Sequence, residues 1–137
     1  GAERVISRDT LMAGSDRPML KPTWAGVVDC VGGEMLATAI KSTKYDGVVT
    51  CCGLVGSIDI PINVFPFILR GIRLIGIDSA ECPMPKRVAV WQRMADELKL
   101  EKMEEMVDEV GLEDLEEKIQ GMLKAQLKRK VLVNLQM

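Results

Sequence analysis

The sequence contains no histidine, and this absence bears on both catalysis and metal binding. None of the 137 residues is histidine, so the usual general base and the Ser-His and Cys-His catalytic pairs are missing. Four cysteines are present, without any C-x-x-C spacing, which argues against a structural zinc site. We therefore expect neither a metal centre nor a catalytic residue within this chain.

Aromatic residues are scarce and long apolar runs are absent. Phe, Trp and Tyr make up 4% of the chain, so aliphatic side chains and methionine must fill the core. No apolar run reaches the roughly 18 residues of a membrane span, and no basic-then-apolar leader opens the sequence. The net charge of −2 does not indicate the basic surface that nucleic-acid binding requires. We expect a reduced, cytoplasmic protein that binds neither nucleic acid nor membrane.

Two short apolar runs, each ending in glycine, are the strongest structural signal. Residues 25–31 and 48–52 read as strands of a parallel sheet that is buried on both faces. Residues 34–43 between them predict a helix. One face of that helix carries Met35, Leu36, Ala39 and Ile40. The pattern is a strand–helix–strand unit with a right-handed crossover.

The remaining elements predict an α/β fold in two parts. Residues 4–7 read as a weak first strand, residues 64–69 as a short helix, and residues 72–77 as a third parallel strand. We place a nucleotide-binding-type sheet domain in residues 1–82 and a helical segment with a terminal strand in residues 83–137.

The second part is defined by charge. Residues 86–100 predict an amphipathic helix, with Val90, Met94 and Leu98 on one stripe. An acidic run at 101–117 and a basic, helical run at 118–130 follow, and a solvated helix face is the simplest interpretation of both. Residues 131–135 read as the terminal strand.

The ends of the predicted strands carry the residues that are suited to ligand binding. In an open parallel sheet, ligands bind beyond the carboxyl ends of the strands, which here carry Val31-Gly32, Gly53 and Asp78. Glycine at two neighbouring strand ends allows close approach of a ligand to the backbone, and an ordinary tight turn explains it equally well. Cys51 and Cys52 are successive residues of one strand, so their side chains should point to opposite faces. We interpret both as small core residues rather than nucleophiles.

Several short segments share a specific order and spacing along the chain. They are Arg8-Asp9, Arg17–Leu20, Trp24–Gly32, Cys52–Gly56, Pro66–Arg70 and Gly76–Ser79, followed by Pro83, Arg87 and Trp91. Together these segments resemble the zinc-independent quinone oxidoreductase and acrylyl-CoA reductase branch of the medium-chain dehydrogenases/reductases. The resemblance covers nearly the whole chain and is loosest between residues 100 and 126.

The resemblance implies a set of NADP contacts. Arg8 corresponds to a residue on the adenosine side of the cofactor, where an arginine suits a 2′-phosphate; a solvated loop charge is the alternative. Leu54 and Ile68 correspond to apolar contacts near the nicotinamide, or else to plain core. Ser79 corresponds to a polar contact near the nicotinamide amide, or to a turn residue. Near the end, the family's Gly-Arg is replaced by Leu127-Lys-Arg-Lys130, so the last contact falls on Arg129 or Lys130.

The resemblance also implies that the chain is part of a larger enzyme. The family's catalytic domain, its first two nucleotide-binding strands and its glycine-rich phosphate loop precede the matching segment. A complete dinucleotide-binding domain has six strands of this kind. We therefore expect the C-terminal part of an NADPH-dependent reductase of a small conjugated carbonyl or quinone, inactive alone, with a partial Rossmann sheet. The sheet edge beside residues 26–30 would then be exposed, and the resemblance implies dimers that join their sheets through residues 72–77. We therefore expect a homo-oligomer or a rearranged N-terminal segment.

Two alternatives remain open at this stage. The chain is also consistent with a non-catalytic interaction module that retains a partial Rossmann sheet and binds partners through the charged helices of residues 101–130. A flavodoxin-like receiver is a weaker alternative, because it requires an acidic cluster at the strand ends and only Asp29 and Asp78 lie there.

Overall fold

The chain divides into two compact units, residues 1–82 and residues 83–137. The computed structural model describes residues 2–124 and 126–136. Among these residues, no helix is both long enough and apolar enough to cross a membrane.

The first unit is built on a three-stranded parallel sheet. Its strands are β1 (Trp24–Asp29), β2 (Thr43–Cys51) and β3 (Arg73–Gly76), in the order β1-β2-β3. A short helix α1 (Arg8–Met12) precedes the sheet, α2 (Gly33–Lys41) connects β1 to β2, and α3 (Phe65–Arg70) connects β2 to β3. The predicted α/β fold with a parallel sheet is therefore confirmed.

The core lies between α2 and one face of this sheet. Leu36 and Ile40 from α2, Val49 from β2 and Ile72 form its buried cluster. Alternate strand residues reach the same face, so Val27 of β1, Cys51 of β2 and Leu74 of β3 also pack against the cluster, together with Ile60, Ile62 and Phe67. Of the apolar face predicted for α2, Leu36 and Ile40 form this core and Ala39 is buried, whereas Met35 is only half-buried.

Burial of both faces of the sheet was a wrong expectation. Val28 of β1 is 84% exposed and Ile75 of β3 is 44% exposed, whereas their neighbours Val27 and Leu74 pack against the core. Because α2 and α3 supply side chains to only one face, no described element of the first unit covers the other face of the sheet. The same asymmetry corrects the interpretation of Cys52, which is exposed, while Cys51 is half-buried and packs on the core.

The predicted first strand at residues 4–7 is also absent. Those residues have no regular secondary structure. A strand needs a neighbour that bonds its N–H and C=O groups, and the described part of the sheet pairs β1, β2 and β3 only.

The second unit contains a helix α4 (Met84–Ala95), a 3-10 turn (Glu104–Met106), and a small parallel sheet of β4 (Val107–Val110) and β5 (Lys130–Val133) joined through α5 (Leu115–Leu123). The helix predicted for residues 86–100 ends at Ala95, where Asp96 and Glu97 oppose the negative end of the helix dipole. Its apolar stripe is exposed, with Trp91 at 63%.

The charged runs of the second unit fold differently from the prediction. The acidic run contains β4, which pairs with β5 and places Asp108 3.2 Å from the Arg129 guanidinium. The basic run is helical only to Leu123, and its last residue, Lys130, opens β5; residue 125 lies outside the described residues. Pairing of Val110 and Val133 with the opposite strand therefore prevails over the local helical tendency.

Candidate functional site

The loops that follow β1 and β2 form a continuous backbone contact at the carboxyl edge of the sheet. The N–H of Cys52 donates to the carbonyl oxygen of Asp29 at 2.9 Å, and the N–H of Gly56 donates to that of Val31 at 2.7 Å. Gly32 forms an isolated parallel bridge with Ser57. The parallel pairing of the strands is thus extended into the loops, which fixes their positions relative to each other.

The side chain of Asp29 stabilises the loop after β1 by accepting hydrogen bonds from its backbone. One carboxylate oxygen of this buried side chain accepts from the N–H of Val31 at 3.2 Å and from the N–H of Gly32 at 2.9 Å. Sequence reasoning considered Asp29 only for an acidic cluster and missed this role. The signal was present, because an aspartate just before glycines at the end of a strand is typical of a side-chain-capped turn.

The two strand-end glycines are required by contact between the loops. Gly32 has a φ of 75°, a conformation that strongly favours glycine, and a Cβ there would collide with the carbonyl oxygen of Ser57. A Cβ on Gly53 would lie 2.7 Å from the carbonyl carbon of Cys30. Since this packing alone accounts for both glycines, they do not by themselves indicate a bound ligand.

Other predicted contacts lie at the same edge. Leu54 follows Gly53 and is 65% exposed. Asp78 and Ser79 follow the third strand, where the N–H of Ile77 continues the ladder by donating to the carbonyl oxygen of Cys51 at 2.9 Å. One carboxylate oxygen of Asp78 accepts from the N–H groups of Ala80 and Glu81 at 3.1 and 3.0 Å. The sheet therefore brings Gly32, Gly53, Leu54, Asp78 and Ser79 to one edge.

The remaining predicted contacts are placed differently. Arg8 is exposed and begins α1, after the N-cap Ser7. Ile68 is 69% exposed on α3, two residues before Arg70, whose guanidinium reaches the carbonyl oxygens near the amino end of β2. Arg129 and Lys130 belong to the second unit. The roles of these four residues in cofactor binding stay predictions.

No group of three or more His, Cys, Asp or Glu side chains within residues 2–124 and 126–136 is arranged to hold a metal ion. Independence from zinc is still a prediction from the resemblance.

A parallel sheet with helices connecting its strands and loops at its carboxyl edge is the arrangement of Rossmann-like α/β domains. Residues 1–100 match the family described as zinc-binding dehydrogenase. The chain belongs to this family and corresponds to the C-terminal part of the medium-chain dehydrogenases/reductases.

Individual relatives support the same assignment along nearly the whole chain. Acrylyl-CoA reductase AcuI of Ruegeria pomeroyi is 38% identical over 98% of this chain and 41% of its own length. YhfP of Bacillus subtilis, provisionally named a quinone oxidoreductase, is 46% identical over 75% of this chain and 31% of its own length. The chain thus spans less than half the length of these relatives.

Solved structures give the same match in three dimensions. The structure of B. subtilis YhfP with bound NAD has a TM-score of 0.90 and 41% identity, over 98% of this chain and 41% of that one. The structure of Escherichia coli YhdH with bound NADPH has a TM-score of 0.86 and 36% identity, over 97% of this chain and 41% of that one. The family prediction made from the short segments is confirmed.

Leu54 leaves its apolar side chain exposed at the carboxyl edge, and Ser79 lies after the end of the neighbouring strand. In contrast, the N–H groups of Val31 and Gly32 already donate to Asp29, so they are not open to the phosphates that such groups usually bind.

Proposed function

We propose that this chain is the nicotinamide-facing part of an NADPH-dependent reductase that acts on a conjugated carbonyl, such as an enoyl thioester, or on a quinone. The observation that carries the proposal is the alignment of nearly the whole chain with structures that hold NAD or NADPH. The name of the R. pomeroyi relative favours the enoyl thioester as the acceptor.

When bound, NADPH supplies a hydride to the β-carbon of the acceptor, and the protein orients the two partners. Within this chain, Leu54 would contribute an apolar contact to the nicotinamide and Ser79 a polar contact to its amide, and the resemblance implies Ile68 on α3 as a further apolar contact. The bonds from Asp29 to the loop N–H groups keep the loop backbone rigid beside these contacts. These residues bind and position; none of them exchanges a proton with the acceptor.

A chain that spans 41% of its relatives is expected to lack most of the cofactor and acceptor contacts. We expect the 137-residue protein to show no NADPH oxidation with acrylyl-CoA or a quinone, and to bind NADPH no more tightly than the millimolar range, about −4 kcal/mol. The test combines the intact mass of the purified sample with NADPH fluorescence titration and absorbance assays. Turnover by a sample of the correct mass would show that the chain is catalytically complete, contrary to the proposal.

The reductase assignment itself is tested on the protein expressed from the complete reading frame that encodes this sequence. We expect NADPH-dependent reduction of acrylyl-CoA or a quinone. Leu54→Asp should raise KM for NADPH about tenfold, since loss of one buried apolar contact costs roughly 1.4 kcal/mol. The control Lys44→Ala changes an exposed charged residue near the amino end of β2, away from the carboxyl edge, and should leave KM unchanged. Failure with both acceptor classes would exclude this function.

A further inference from the structure

The face of the sheet opposite α2 carries a row of side chains that the proposed function does not use. Val28, Thr50 and Ile75 occupy matching register positions on β1, β2 and β3. Val28 and Ile75 are exposed, in contrast to Val27, Val49 and Leu74 on the other face. We call the side that bears Val28, Thr50 and Ile75 the open face.

Two cysteines extend this face by one further step toward the carboxyl edge. Cys30 follows Val28 by two residues and Cys52 follows Thr50 by two, and each lies one residue beyond the end of its strand, where a continued alternation would put it on the side of the open face. Both are exposed free thiols. Cys51 points the other way and packs against the core, which separates it from this pair.

Backbone contacts show that Cys30 and Cys52 are neighbours across the two chain segments. Asp29 pairs with Cys51 in the ladder, and the N–H of Cys52 donates to the carbonyl oxygen of Asp29 at 2.9 Å, which continues the register by one residue. The Cys52 thiol lies 3.4 Å from the same carbonyl oxygen. A Cβ on Gly53 would lie 2.9 Å from the Cα of Cys30, so the segments stay together beyond the strands.

The spacing of neighbouring strands falls within the range of Cα separations found in disulfides. Neighbouring strands are about 4.8 Å apart, and the Cα atoms of disulfide-bonded cysteines are usually about 4.4–6.8 Å apart. We propose that Cys30 and Cys52 form a dithiol site on the open face, and that peroxide converts it to an intramolecular disulfide. This inference stands on the positions of the two thiols and is independent of the reductase assignment.

The chemistry proceeds in two balanced steps. One thiol sulfur attacks hydrogen peroxide, the O–O bond breaks, and a sulfenic acid and a water form. The second thiol sulfur attacks the sulfenic sulfur, the S–S bond forms, the S–O bond breaks, and a second water leaves with the thiol proton. The two thiols together lose two electrons, and the peroxide is reduced to two waters.

The cross-link has a consequence for the loops beside it. Cys30 precedes Val31 and Gly32, and Cys52 precedes Gly53 and Leu54, so a disulfide would add a covalent bond between two loops that backbone hydrogen bonds already hold together. In the complete reductase, we expect oxidation to change KM for NADPH. This consequence rests on the proposed function, whereas formation of the disulfide does not.

The test treats the dilute, reduced 137-residue protein with hydrogen peroxide, and then counts thiols and maps peptides without reduction. We expect two of the four thiols to disappear, an intact mass lower by two hydrogen atoms, and a peptide pair linking Cys30 to Cys52 that dithiothreitol separates. Monomer migration on a non-reducing gel distinguishes this from links between chains.

Single substitutions sharpen the assignment. Cys30→Ser and Cys52→Ser should each abolish the intramolecular link, while the matched control Cys82→Ser should retain it; circular dichroism verifies that each variant is folded. A link that involves Cys51 or Cys82, or oxidation to sulfinic acid without any link in the folded protein, would overturn the proposal.

Discussion

At the scale of single residues, Gly53 shows how the sequence fixes the geometry of the carboxyl edge. The residue follows β2 and lies against the backbone of Cys30, where even one added carbon would be 2.7 Å from the carbonyl carbon. Its role is therefore to allow two backbones to touch, which is a role that only the smallest residue can fill. The identity of the residue was visible in the sequence, but the atom that it must avoid was not.

Replacing Gly53 by alanine should destabilise the first unit. The added methyl group meets backbone rather than a movable side chain, and overpacking of this kind costs about 1–3 kcal/mol. Urea unfolding measures the loss of unfolding free energy. The signal is the fluorescence of Trp24 in a Trp91→Phe background, because one tryptophan lies in each unit.

The matched control for this change is Gly76→Ala. A Cβ on Gly76 would meet nothing within 4 Å, and alanine is favoured over glycine within a strand by up to about 1 kcal/mol. We expect its unfolding midpoint to be unchanged or slightly raised. Equal losses in the two variants would show that contact between the loops is not the reason for Gly53.

At the scale of elements, Arg70 links three parts of the first unit that are distant in sequence. Its guanidinium donates to the carbonyl oxygens of Lys41 at 2.9 Å, Thr43 at 3.0 Å and Leu20 at 2.6 Å. The residue thus joins the end of α3 to the end of α2, the start of β2 and the segment before β1. The three acceptors are all backbone carbonyl oxygens, so Arg70 makes charge-assisted hydrogen bonds to the backbone rather than an ion pair.

Arg70→Met should loosen this junction while retaining most of the aliphatic volume. The three carbonyl oxygens would lose their charged hydrogen-bond donor in a half-buried site. We expect the free energy of unfolding to fall by about 1–3 kcal/mol. Thermal or urea unfolding of the first unit measures the change. Arg73→Met is the control, since the exposed Arg73 donates one bond, to the carbonyl oxygen of Asp46 at 3.2 Å, and we expect little effect. If the Arg73 variant loses as much stability as the Arg70 variant, the hydrogen bonds of Arg70 do not make a special contribution to the stability of the first unit.

The elements also differ in how well the sequence predicts them. The helix α2 was predictable because Leu36 and Ile40, four residues apart, both pack in the core, and this spacing is visible in the sequence. β4 was not predicted, because its four residues include Asp108 and Glu109 within an acidic run. Its strand conformation depends on pairing with β5, some twenty residues later in the sequence. The local composition of β4 therefore does not predict the strand.

The candidate site, like the secondary structure, was predicted only in part from the sequence. Sequence reasoning located the carboxyl edge, because glycines end two successive apolar runs. It missed Asp29 as the residue that fixes the loop, and it expected Cys52 in the core, because alternation alone does not show which face of a sheet is covered. That depends on where α2 and α3 pack, which is a property of the folded unit.

At the scale of the whole molecule, exposed apolar surface is the dominant feature of the first unit. Val28 is 84% exposed, Leu54 65% and Ile58 78%, and β1 and β3 form the two edges of the described sheet. Monomeric proteins rarely expose large contiguous apolar patches, and unpaired edge strands promote association.

We therefore expect the isolated 137-residue protein to self-associate, with β1 as one of the contacts. Sedimentation velocity over a range of concentrations should show a species larger than the 15.1 kDa monomer. Val28→Lys should shift the distribution toward monomer, because a charge on the open face of an edge strand opposes both burial and pairing. Val5→Lys, at an equally exposed position outside the sheet, should leave the distribution unchanged. A folded monomer at all concentrations would contradict this expectation and would mean that the open face tolerates solvent without a partner.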